Sequence, residues 1–127
     1  MGQTDRKTLL KAQQGELDAV LMYNALAEAV RDRNDADTFR RLAAEEGRHA
    51  SVFKDLTKQT LKPKKTLATL LPVLYRLLGR KRLYPIIAKF EYGAVNTYGP
   101  VAADFPAVQS VKEDERRHGD TVMGLIR

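Results

Sequence analysis

The chain has two histidines, and both close the same five-residue pattern: Glu45-Glu46-Gly47-Arg48-His49 and Asp114-Glu115-Arg116-Arg117-His118. Each reads acid, Glu, any residue, Arg, His. Residues three apart share a helical face, so Glu46 projects with His49 and Glu115 with His118. A carboxylate and an imidazole on one stripe supply half of a metal site, and two such stripes facing each other supply most of a dinuclear one. A lone Glu-x-x-His arises by chance in any charged helix. Two copies that use every histidine and share the flanking acid and arginine carry weight.

The surrounding residues place both patterns inside buried stripes. Phe39, Leu42, Glu46, His49, Phe53 and Leu56 run through the first, and Val108, Val111, Glu115, His118, Val122 and Leu125 through the second, at a constant offset of 69. Alternating steps of three and four mark the core face of an amphipathic helix. A carboxylate on such a face is costly unless it is paired or bound to a cation. Two further helices offer the missing partners. Leu9, Glu16, Tyr23 and Val30 form one stripe, and Ile87, Glu91, Val95 and Tyr98 another, each broken by a single acid with a tyrosine seven residues on. The reading is a duplicated helical hairpin, with one Glu on the first arm and Glu-x-x-His on the second. Four carboxylates and two neutral imidazoles balance two divalent cations, and with no cysteine in the chain the donors are hard oxygen and imidazole nitrogen. That set suits iron or manganese.

With these residues assembled, the chain resembles the ferritin-like di-iron carboxylate proteins, and within them the rubrerythrin group, over all four helices. The resemblance implies that Glu16, Glu46, His49, Glu91, Glu115 and His118 are the ligands and catalytic residues of a site for two Fe ions, with Mn as the alternative. It also implies that Glu45 and Asp114 support the histidines, that Arg48 and Arg117 pair with those acids, and that Tyr23 and Tyr98 hydrogen-bond to ligand carboxylates. The activity implied is an oxidoreductase of the peroxidase or ferroxidase type, acting on hydrogen peroxide or dioxygen in oxidative-stress defence or iron handling. A non-catalytic iron-binding, storage or sensing module is the contrasting class. Rubrerythrins proper carry a four-cysteine rubredoxin domain, which zero cysteines exclude here, so an external electron donor is expected. Peroxide-reducing members also carry a glutamate one turn beyond the third-helix ligand. Here Glu91-Tyr92-Gly93-Ala94 puts Ala94 at that position, so a nearly symmetric six-residue site is expected, in which the irons keep their places.

The elements that must position these residues are legible in outline. The 127 residues read as a single domain (1–127), an all-α ferritin-like four-helix bundle with a long crossover between its second and third helices. Thr4 or Asp5 is expected to cap a first helix running to about Asp32. Asn34-Asp35 would turn the chain and cap a second helix to about Lys58. Gly99-Pro100 would end the third near Tyr98, and Asp104 with Pro106 would open the fourth. Inside the crossover a short extra helix is expected at about Pro72 to Leu78. Its leucine surface, at residues 67 to 78, wants cover, which points to a homodimer. The polar start from Met1 to Lys7 shows no signal peptide, so a cytoplasmic location is the default.

Charge is concentrated in the crossover region. Between Asp55 and Glu91 there are nine Lys or Arg and no acid, whereas the rest of the chain carries 13 basic and 16 acidic residues. The pI near 9.7 therefore belongs to one segment. A solvated basic surface is the favoured reading. Contact with an anionic membrane surface is the second, and nucleic acid is disfavoured because no recognition motif accompanies the charge.

Overall fold

The computed structural model describes residues 2–127, and among them there is helix and no strand. Five helices follow in order: α1 (Gln3–Ala29), α2 (Arg33–Thr57), α3 (Thr66–Leu78), α4 (Arg80–Ala102) and α5 (Pro106–Gly124). Three-residue links join α1 to α2 and α4 to α5, which makes each pair an antiparallel hairpin. Residues 58–65 and α3 form the crossover, and α3 packs mainly along α1. This is the expected all-α ferritin-like bundle with its extra helix.

Two apolar layers sandwich a polar one. Met22, Tyr23, Leu26, Phe39, Leu42, Leu83, Tyr84, Ile87 and Val122 belong to the layer at one end, and Leu9, Ala12, Phe53, Tyr98, Val101, Val108 and Val111 to the layer at the other. On α1, α2, α4 and α5, one glutamate interrupts the buried stripe between these layers. The hydrophobic pattern that drives the bundle together thus drags four acids into its middle.

Helix ends differ from the expected ones in four places. α1 starts at Gln3 without a side-chain cap and stops at Ala29, because Val30 turns extended and buries. Asp32, not Asn34-Asp35, caps α2 by accepting from the Asp35 N–H at 2.9 Å. Gly99-Pro100 does not end the third bundle helix: α4 runs on to Ala102, since Val101 and Ala102 bury against the Leu9 layer and offset the hydrogen bond that Pro100 forgoes. For the same reason α3 begins at Thr66 and runs through Pro72, as Leu71 buries and Leu67, Leu74 and Tyr75 pack on the core.

The crossover is tied down by side chains of α1. Buried Gln13 donates to the Gln59 carbonyl at 2.8 Å and accepts from the Thr57 hydroxyl at 2.6 Å, while Asp18 accepts from the Lys64 N–H at 2.7 Å. At the opposite end Asp35, fully buried, accepts from Arg80 at 3.1 Å and from the Tyr84 hydroxyl at 2.7 Å, and Arg80 also donates to the Leu125 carbonyl. One carboxylate therefore joins the start of α2 to the start of α4 and, through Arg80, to the end of the chain. Asp35→Ala strands a hydroxyl and a guanidinium, and because Arg80 is partly solvated the expected loss is about 2–3 kcal/mol, the low end for a broken buried pair. Urea titration followed by circular dichroism measures it.

Candidate metal centre

Each bundle helix delivers its acid to the same level, and all six expected residues come together there. Glu16, Glu46, His49, Glu91, Glu115 and His118 are each at most 5 % exposed. They form two sets, Glu16 with Glu46, His49 and Glu115, and Glu46 with Glu91, Glu115 and His118, and within each set the donor atoms lie within 4.8 Å of one another. Glu46 and Glu115 belong to both. The arrangement is close to two-fold symmetric: His49 Nδ1 is 3.0 Å from Glu46, 3.0 Å from Glu115 and 3.6 Å from Glu16, and His118 Nδ1 is 3.2, 3.4 and 3.6 Å from Glu46, Glu115 and Glu91. The two imidazoles stack with centroids 5.5 Å apart.

The outward nitrogens are held crosswise. His49 Nε2 meets Asp114 at 2.8 Å and His118 Nε2 meets Glu45 at 3.1 Å, so the acid of each pattern serves the histidine of the other. Arg117 donates to Asp114 at 2.6 Å and stands 3.7 Å from Glu45, and Arg48 reaches Glu45 only at 4.0 Å; both arginines are mostly in solvent. The tyrosines cross over as well, Tyr23 donating to Glu91 and Tyr98 to Glu16 at 2.9 Å. Gly119, beside His118, sits where a Cβ would meet the Tyr92 ring at 2.4 Å, so glycine lets α5 lie close to α4 at the level of Glu91.

Electrostatics follow from burial and crowding. Burial, with repulsion from Glu46, holds the Glu16 carboxyl well above its ordinary range, and burial pushes Glu91 up to about 7. Burial alone would lower His49, but the carboxylates of Glu115, Glu16 and Glu46 crowded against it outweigh that and push the imidazole up to about 12. His118 is raised in the same way by Glu115, Glu46 and Glu91. Burial opposes Glu46, yet the two histidines bring its carboxyl below the usual value. Without a cation, protons on two imidazoles and on Glu16 and Glu91 offset the negative charge of the cluster.

The donors fit a pair of hard divalent cations. Glu16 Oε2, Glu91 Oε2, Glu115 Oε1 and His118 Nδ1 are buried and find no hydrogen-bond partner, although other donors of the cluster crowd them. Atoms across a cation with bonds of about 2 Å stand roughly 4 Å apart, close to the spread of each set. Buried orphans that converge in this way mark a cation site.

The sequence profile of the rubrerythrin family matches residues 7–78, more than half of the chain. The chain belongs to the rubrerythrin family. The match spans α1 to α3 and so includes Glu16, Glu46 and His49, while Glu91, Glu115 and His118 are joined to them by geometry. No curated protein and no solved structure matches the chain significantly.

The sequence reading missed an open side to this rubrerythrin cluster. A cavity of about 220 Å³ lies between α1 and α4, lined by all four glutamates, both tyrosines and the apolar Ala19, Met22, Leu67, Ile87, Phe90 and Ala94. Neither histidine reaches it. A groove lined by Gly15, Gly93, Ala94 and Thr97 continues outward. Small residues at matching levels of two helices were the available signal, but only the packing shows that α1 and α4 face each other there.

Glu91 moves from 4.5 to about 7 and His49 from 6.5 to about 12. The folded chain thus keeps protons that the unfolded chain gives up, and the stability of the metal-free protein falls as pH rises from about 5 to about 8. Calorimetric Tm across that window should decline, and saturation with Mn(II) or Fe(II) should raise Tm at the upper end. A metal-free Tm that climbs across the window would place the acids outside the core.

Proposed function

We propose that the chain is an oxidoreductase binding two iron ions, one in each set of four residues, and acting on hydrogen peroxide or dioxygen. When bound, the pair of Fe(II) ions supplies the two electrons that, with two protons, convert hydrogen peroxide to two waters; Mn is the other cation that the donors suit. The observation that carries this reading is the sharing of Glu46 and Glu115 between two sets whose carboxylate side opens on a cavity.

Every other part is done by the chain itself. Glu46 and Glu115 belong to both sets and would be shared between the two cations. Glu16 and Glu91 each complete one set, aimed by the hydroxyls of Tyr98 and Tyr23. Asp114 and Glu45 fix which ring nitrogen of His49 and His118 faces inward. Burial and the charge of Glu91 hold the Tyr23 hydroxyl protonated, which keeps a proton on the cavity wall beside the carboxylates. Met22, Ile87 and Phe90 line the approach and make it apolar. Ala94 lines the cavity at the position where peroxide-reducing rubrerythrins carry a further glutamate, so each ion would have only its own four residues to hold it.

The chain has no cysteine, so the returning electrons come from a separate donor. With that donor the activity is a peroxidase; where ferric iron leaves instead, it is a ferroxidase. Stopped-flow absorbance after mixing the Fe(II)-loaded protein with peroxide should show di-ferric absorption within the mixing experiment, and slow oxidation indifferent to peroxide would leave only a passive binder. Metal counts per chain test the ligand roles. Glu46→Ala or Glu115→Ala should lose most binding at both positions, and Glu16→Ala or Glu91→Ala about one ion each. Small, equal losses in all four would remove the shared roles of Glu46 and Glu115.

A further inference from the structure

Five large apolar side chains stand well out in solvent, Leu70, Val73, Leu77, Ile86 and Phe90, with Leu77 at 75 % and Phe90 at 59 % exposure. All lie between residues 70 and 90. Leu70, Val73 and Leu77 follow steps of three and four along one flank of α3, beside the face that Leu67, Leu71 and Leu74 turn to the core. Ile86 and Phe90 are one turn apart on α4. The two helices meet at the mouth of the cavity, where Leu67 of α3 and Phe90 of α4 line the same opening.

Cations surround these side chains. Lys65 borders the hollow lined by Leu70 and Val73, and Lys11 and Lys89 border Phe90. Arg76, Lys81 and Arg82 are exposed on the same two helices, and the stretch from Leu56 to Phe90 has no acid. A partner must therefore take apolar side chains and positive charge together. A second copy related by a two-fold axis would set like charges against each other. A nucleic acid would meet the charge and leave the apolar side chains unused. A lipid surface with anionic headgroups satisfies both.

We propose that this face docks on a bilayer containing anionic lipids, with Leu70, Val73, Leu77, Ile86 and Phe90 at the boundary of headgroups and acyl chains and the flanking Lys and Arg among the phosphates. The contact is peripheral, since no described helix is long and apolar enough to cross a membrane. It sets the mouth of the cavity against lipid. The docking is a property of the surface, and its test does not depend on metal.

The full chain is mixed with vesicles of phosphatidylcholine alone or with phosphatidylglycerol added, at low and high salt, and sedimented. Binding is expected only with phosphatidylglycerol and should weaken with salt. Lys81→Gln and Arg82→Gln should each lower partitioning by about fivefold. Leu70→Asp and Leu77→Asp should abolish it while circular dichroism stays that of the parent. Because the chain has no Trp, Leu77→Trp is a clean reporter, and its emission should shift to the blue on the anionic vesicles. Absence of sedimentation at low salt, unchanged binding by Leu77→Asp, or an unshifted Trp emission overturns the proposal. So does a parent dimer that ignores vesicles and becomes a monomer on Leu77→Asp, which would make a second copy the occupant.

Discussion

Four carboxylates buried side by side in the middle of a bundle repel one another, and the rest of the fold is arranged around that cost. An apolar stripe interrupted once on each of four helices brings them together, because burying the leucines and aromatics on either side leaves the acids nowhere else to go. Each acid is then matched by a neighbour of opposite demand. Glu16 and Glu91 receive tyrosine hydroxyls, and Glu46 and Glu115 sit between two imidazoles. What is left over is a set of converging oxygen and nitrogen atoms without hydrogen-bond partners, the mark of a cation site.

The centre is two-faced. Its histidine side is backed by Asp114 and Glu45 and, beyond them, by Arg117 in solvent, so the ring nitrogens are fixed by a short polar chain that ends at the surface. Its carboxylate side opens on an apolar cavity. Flexible oxygen donors thus face the approach and rigid nitrogen donors face away, a division that lets the open side adapt while the closed side holds register.

What the sequence disclosed was whatever repeats. The paired patterns, their constant offset and the Glu-to-Tyr spacing of seven identify six donors and two tyrosines, and all eight meet as the periodicity requires. Helix existence followed from the same stripes. Helix ends did not, because Pro72 read as a start and Pro100 as a stop, whereas burial of Leu71 and of Val101 and Ala102 outweighs one lost backbone bond. Asp35 read as a turn residue because its partners, Arg80 and Tyr84, lie some 45 residues away. The cavity was invisible for a like reason: Gly15 and Ala94 gain meaning only once α1 and α4 are side by side. Local chemistry is written in short spacings, and enclosure is not.

The crosswise pairing of acids and histidines has a mechanical consequence. Asp114 orients His49 and Glu45 orients His118, and each set of four takes three residues from one hairpin and one from the other. Neither hairpin owns a complete set, and neither owns the support of its own histidine. Cations held there act as rivets through a seam: they fasten one half of the molecule to the other and leave the interior of each half unchanged. The join between the two halves, rather than the helices themselves, is what an occupied centre would strengthen.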